Sequence, residues 1–215
     1  SKIDSLSTCA KIHSDFMNGR LTSNATPKGI NKALSEQFKN YFQDTKKVPS
    51  ASDSVQLELD LNIHPNALIT EVFLRDLEQM DSIRANASFD ATTQNLKATL
   101  QVPNAKYKDI TMDSLNVSIL GDSTNLNFTA GLMNLLAEPV HIKKTYLEGI
   151  LKNRELQLDF SSWDEEQKVM HIASSLKLAK DTTILQIKPE GLLFNKKEWE
   201  IPKDNQITFA TDNLG

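Results

Sequence analysis

Only one cysteine, seven glycines and seven prolines occur in the 215 residues, and each scarcity closes a class of function. A lone Cys9 can form neither an internal disulfide nor a paired-cysteine metal site. The four histidines, at 13, 64, 141 and 171, stand too far apart to put two metal ligands on adjacent turns of one helix. So few glycines leave little from which to build a phosphate-cradling loop. Neither GxGxxG nor GxxxxGK[ST] occurs, and there is no GxSxG nucleophile elbow. No run approaches the ~18 apolar residues that a membrane-spanning helix needs. Charge of either sign is also lacking in excess: 24 basic residues face 28 acidic ones, with no basic block to hold a phosphate backbone, so nucleic acid is not an expected partner.

The remaining polar residues offer little chemistry. Asp164, Glu165 and Glu166 fall together in an apparent turn, where a solvated loop tip is the ordinary reading and a metal or acid-base site the rarer one. The chain is therefore expected not to be an enzyme, with no catalytic residue, metal ligand or cofactor. Asn24, Asn86, Asn116 and Asn127 begin N-x-S/T triplets, no more than so Asn-, Ser- and Thr-rich a chain yields by chance. Trp163 and Trp199 fit a sugar-stacking platform or, more commonly, packing of strands on an apolar layer. The opening SKIDSLSTC has neither the charged nor the apolar region of a signal peptide, which leaves a cytosolic protein or an excised piece of a longer one. Its abrupt start inside an apparent strand favours the piece.

What the chain does have is alternation. Val55, Leu57, Leu59 and Leu61 alternate with Gln56, Glu58, Asp60 and Asn62, the period of a strand with one greasy face. Leu115, Val117 and Ile119 repeat the pattern, the chain turns at Gly121-Asp122-Ser123, and Leu126 and Phe128 resume it. Leu156, Leu158 and Phe160 follow, then Ile172, Leu176 and Leu178. Between Met112 and Leu115 the phase slips by one, which a β-bulge near Asp113-Ser114 would absorb while bending the sheet. Short polar links between successive runs imply antiparallel hairpins.

Two stretches carry a helical period instead: Pro27 to about Asp44, and residues 64–80 with Leu68, Ile69, Val72, Phe73, Leu77 and Met80 as an apolar stripe. Asn18-Gly19 is the strongest short hairpin signal in the first segment. The expected fold is mainly β: a curved antiparallel meander, taco- or half-barrel-like, with two amphipathic helices. A hairpin-plus-helix region, 1–50, precedes a curved β region, 51–215, with one helix (64–80); the pattern also allows the two to be continuous.

Pattern alone leaves two uses for the greasy face. Two one-faced sheets normally bury each other as a closed sandwich core, giving an interaction or scaffold module whose binding surface is its loops or an open edge. Alternatively the sheet stays open as a trough filled by acyl chains. Each buried CH₂ contributes about 0.8 kcal/mol, so a 16-carbon chain gains on the order of 10 kcal/mol before ordering costs.

The stretch DSIRANASFDATTQNLKATLQVPNAKYKDITMDSLNVSILGDSTNLNFTAGL, then VHIKKTYLEGILKNRELQLDF and the closing GLLFNKKEWEIPKDNQITF, resembles the TamB family, the AsmA-like translocation and assembly module proteins, in the form carried by Bacteroidetes-type bacteria. The resemblance spans most of residues 54 to 209 and implies an excised segment of a long periplasmic protein, anchored in the inner membrane outside this segment. Its implied partners are phospholipid acyl chains and, through the full-length protein, an outer-membrane barrel of the Omp85 type. The implied role is phospholipid transport between the membranes, outer-membrane protein assembly, or both. Carried onto this chain, the groove lining is Leu115, Val117, Ile119, Leu126, Phe128, Leu156, Leu158, Phe160, Ile172, Leu176 and Leu178.

Overall fold

The computed structural model describes residues 2–4, 7–42, 54–178 and 182–210. They form β1 (Lys2–Asp4), β2 (Ser7–His13), β3 (Met17–Ser23), α1 (Pro27–Tyr41), β4 (Gln56–Ile63), a π-helical turn (Leu68–Phe73), β5 (Leu77–Met80), β6 (Ile83–Asp90), β7 (Asn95–Tyr107), β8 (Ile110–Gly121) and β9 (Asn125–Leu132). Then come β10 (Asn134–Ala137), β11 (Val140–Ile142), β12 (Thr145–Lys152), β13 (Glu155–Asp164), β14 (Gln167–Leu178), β15 (Thr182–Ile187), β16 (Leu193–Phe194), β17 (Lys197–Glu198) and β18 (Ile207–Ala210). One antiparallel sheet joins all the strands and does not close into a barrel.

Its main ladder runs β1-β2-β3-β4-β6-β7-β8-β9-β12-β13-β14-β15-β18. It passes without a break from β3 to β4, across the boundary expected near residue 50. Three long strands branch at one end: β7 also pairs with β5, β8 with β10, and β14 with β16. The hairpins are built as their residues dictate. Asn153 and Arg154 both take positive φ (52° and 63°), the two-residue turn whose twist matches the strands it joins.

The β-bulge expected near Asp113-Ser114 is not there: the β7–β8 register keeps one offset, Val102 opposite Leu115 and Asn104 opposite Asp113, and Ser114 (φ 53°) stands opposite Pro103, which has no N–H to give, so each strand loses one residue from the pairing and neither gains one. Two further expectations fail. Asn18-Gly19 is not the first turn; both residues lie inside β3, opposite His13 and Ile12, and the chain reverses at Ser14–Phe16, where the Ser14 hydroxyl accepts from Met17 N at 3.0 Å. A side chain at Gly19 would crowd Leu61, so this glycine answers a close strand approach. The helix expected over 64–80 reduces to the six-residue turn, and Leu77–Met80 is strand β5.

α1 begins where the sequence puts it. Thr26 caps Gly29 N through its hydroxyl, and Pro27 occupies the first turn, where a missing N–H costs least. Its last two turns sit on one rim of the sheet. Gln37 Nε2 donates to Gln94 O (3.1 Å) and Asp122 O (2.9 Å), carbonyls of successive hairpin turns. Gln94 and Asp122 lie just past the Leu96–Gly121 pair on the adjacent strands β7 and β8, so this one nitrogen ties the two strand ends together at the rim.

Candidate functional site

Residues directly opposite each other in a ladder face the same side, as do residues two apart along a strand. Traced through the register, these rules give rows that cross the whole sheet. One row reads Leu57, Phe89, Leu96, Gly121, Leu126, Leu151, Leu156, Leu176, Leu185, Ile207. The next reads Leu59, Ala87, Ala98, Ile119, Phe128, Gly149, Leu158, Ser174, Ile187. A third reads Leu61, Ala85, Leu100, Val117, Ala130, Leu147, Phe160, Ile172. The other face is mostly polar over the same span: one of its rows is Asp60, Asn86, Thr99, Ser118, Thr129, Glu148 and Asp159, and the next carries the exposed Leu120 and Ile150 on either side of Asn127.

Every groove residue expected from the sequence lies on the apolar face. Nine are on the three rows; Leu178 lies two residues beyond Leu176, and Leu115, two residues before Val117, is paired with Val102. They are not equally covered. Leu126 is buried beneath α1 in a cluster with Ala33, Tyr41, Phe89, Ala91, Leu96 and Leu151, and Ile119 and Leu156 pack against it. The other eight are half-buried.

Tyr41 is the centre of this seal. It is 1% exposed, its hydroxyl donates to Asp122 O at 2.9 Å, and its carbonyl accepts from Arg154 N. Burial pushes the phenol pKa up, against a hydrogen bond from Gln37, with the Asp122 charge adding to the rise. At the opposite rim Ile69 of the π-helical turn closes a smaller cluster with Leu77 and Met80, against Phe16, Ile63 and Ile83.

Between the two seals the second and third rows change character. None of their side chains is buried and none fully exposed. Partial exposure in every apolar residue of two adjacent rows shows a face with nothing laid over it among the described residues. Phe128 lies across Gly149, where an added Cβ would fall 2.0 Å from the ring. The second row thereby gains a flat aromatic patch that its sequence neighbours do not announce.

The candidates for other chemistry are dispersed. Among the described residues no three His, Cys, Asp or Glu side chains gather as metal ligands, and no helix is long and apolar enough to cross a membrane. Asp164 bridges Lys143 and Lys196, which hold its carboxyl below the usual range, while Glu165 and Glu166 are exposed in the turn. Trp163 borders a concavity on the polar side with Asn116 and Tyr146, and Trp199 is 55% exposed. Comparison with protein-family models, curated proteins and solved structures found no match.

Proposed function

We propose that this chain is a non-enzymatic lipid-binding segment whose inner rows hold phospholipid acyl chains. Its setting is a periplasmic protein that moves phospholipid between the inner and outer membranes, or assists outer-membrane protein assembly with an Omp85-type barrel. The observation that carries the reading is the pair of contiguous apolar rows left half-exposed between two sealed rims. The composition of those rows favours hydrocarbon over peptide. Apart from Ser174 they offer no polar side chain, and their backbone groups are engaged in the ladder. A peptide laid there would bury unpaired amides at a cost of roughly 1–3 kcal/mol each. An acyl chain has nothing to leave unpaired.

The scaffold reading draws on a different feature, the strand β18, whose outer edge has no pairing among the described residues and whose Ile207 and Phe209 are 54% and 49% exposed. The two readings part in a single experiment. Solvent extraction of the purified chain followed by mass spectrometry is expected to yield phospholipid. Leu176→Arg, at a half-buried position of the first row away from the α1 seal, is expected to abolish it while circular dichroism and Tm stay near wild type. Absence of lipid from the wild type, or unfolding of Leu176→Arg, would sink the trough and leave the scaffold.

A further inference from the structure

The polar face carries one glycine that the fold does not require. Four glycines lie within the described strands, and at three of them a side chain is excluded: an added Cβ would come 3.1 Å from Leu61 at Gly19, 2.6 Å from the Tyr41 hydroxyl at Gly121 and 2.0 Å from the Phe128 ring at Gly149. At Gly131 it would meet nothing nearer than Tyr146 Cδ2 at 3.7 Å, an ordinary contact. A glycine inside a strand weakens it, and where no neighbour needs the room, the remaining reason for it is the close approach of a ligand. Gly131 and Gly149 each stand directly opposite an aromatic residue, Tyr146 and Phe128. Phe128 lies across its glycine and fills the gap. Tyr146 does not: its hydroxyl donates to Glu148 Oε1 at 3.0 Å, two residues along its own strand, which holds the ring off Gly131. The dimple that remains, about 230 Å³, is floored by Gly131 and bordered by Asn116, Met133, Lys144, Tyr146 and Trp163. Trp163 N donates to Lys144 O at 2.8 Å, which sets these two side by side, and the Lys144 ammonium lies 5.3 Å from the indole centroid. Among the described residues Lys144 has no carboxylate partner; Asp164 is held by Lys143 and Lys196, and Glu148 accepts from Tyr146.

We propose that this dimple binds a single aromatic ring bearing a carboxylate, with the ring between Tyr146 and Trp163 over the Gly131 backbone and the carboxylate on Lys144. Size and lining select this class. Drug-sized sites run roughly 300–1,000 Å³, and an apolar cavity of about 150 Å³ holds one benzene ring, so the space takes one ring with a short substituent. Aromatic rings gain from offset or edge-on contact with one another, and Met133 adds a polarizable wall. A sugar, the other ligand that tryptophan suits, would bring hydroxyls to polar groups already engaged: the Tyr146 hydroxyl is bonded to Glu148, and Asn116 Nδ2 donates to Ser114 O. A carboxylate gives Lys144 the charge-assisted hydrogen bond it lacks. Gly131 and Tyr146 share the polar face with Asn116, so the site is separate from the apolar rows and does not depend on what they hold.

Emission of Trp163, followed in a Trp199→Phe background, would be titrated with phenylacetate, benzyl alcohol and acetate. Phenylacetate is expected to give a saturable change and to bind at least tenfold more tightly than either of the others. Gly131→Val fills the dimple with a β-branched side chain that strands favour; it is expected to keep the Tm of its parent and to lose the saturable response. Lys144→Gln is expected to bring phenylacetate down to the affinity of benzyl alcohol while leaving benzyl alcohol itself unchanged. No saturable response to phenylacetate, or one that survives Gly131→Val, overturns the site. Acetate that binds as tightly as phenylacetate makes this a plain anion site and also overturns it, as does a preference for phenylacetate over benzyl alcohol that survives Lys144→Gln. If Gly131→Val fails to fold, the Lys144→Gln comparison decides alone. Each of these results leaves the trough untouched, because the dimple and the apolar rows lie on opposite faces.

Discussion

The same strands behave differently at their two ends. At the α1 rim, Phe89, Leu96, Leu126 and Leu151 are buried, and Phe89 is 2% exposed. Two to four residues along the same strands, Ala87, Phe128 and Leu147 obey the same alternation yet stay half-exposed. Neither hydrophobicity nor β-propensity separates the two sets. What separates them is a helix: α1 supplies Ala33, Tyr41 and Gln37 to one rim, and no described element supplies anything to the middle. A strand's period tells which side is greasy, and burial depends on what is laid over it.

The largest break in this comparison should come from aromatic truncation at matched faces. Phe89→Ala removes a fully enclosed ring and is expected to cost about 3–5 kcal/mol. Phe160→Ala removes a ring that stays partly exposed and is expected to cost about 1–2 kcal/mol. Urea denaturation with a shared m-value measures both. Equal losses would mean that the middle rows are as well packed as the rim.

Glycines sharpen the same contrast with a smaller effect. An added Cβ at Gly121 would lie 2.6 Å from the Tyr41 hydroxyl and 3.3 Å from Leu96, with α1 held above by the Gln37 and Tyr41 hydrogen bonds. At Gly149 its three nearest contacts would all be atoms of the Phe128 ring, which is partly exposed and has no described element packed over it. Gly121→Ala is therefore expected to cost about 2–3 kcal/mol and Gly149→Ala about 1 kcal/mol, by the same denaturation measurement. Gly149→Ala should also weaken dioctanoyl phosphatidic acid binding severalfold, because the displaced ring enters the space proposed for the chains. Unchanged binding would place the acyl chains elsewhere.

Much of this was legible in the residues, for a definite reason. Period-2 alternation with short polar turns specifies hairpins locally, so the succession from β6 to β14 and the shared face of Leu115 through Leu178 follow from neighbours in sequence. The misreadings arose where distant pairing decided. Asn18-Gly19 has the turn chemistry, but its glycine is required opposite Leu61, forty-two residues away. Leu77 and Met80 continue a helical stripe, yet pairing with Tyr107 and Ala105 of β7 draws them into a strand. That Leu126 would be sealed while Phe128 stayed open was not legible, since it depends on where α1 comes to rest. Nor did the spacing of Lys144, Trp163 and Lys168 announce their meeting, which a hairpin with a bulge at Ser162/Trp163 creates.

The smallest predicted effect distinguishes the two rims by pH and salt. Asp122, under α1, is partly desolvated, which alone would raise its pKa. Hydrogen bonds from Thr124 and Asn125 outweigh that and leave it lowered. Asp164, at the far rim, is lowered by its bonded lysine, Lys143. A carboxyl depressed in the folded state contributes stability above its unfolded pKa and loses it as pH falls through the folded one. Both rims should therefore weaken only as pH drops below the ordinary carboxylate range near 4. The salt response differs. Asp164 and its lysines are exposed, so 1 M salt should largely erase their share, whereas the hydrogen bonds of Asp122 persist. Asp122→Asn is expected to lower the urea midpoint at pH 7 by the equivalent of less than about 1 kcal/mol, equally at 0.05 and 1 M salt. Asp164→Asn should shift the midpoint measurably only at low salt. A salt-sensitive Asp122→Asn effect would mean that the α1 rim is held by charge more than by enclosure.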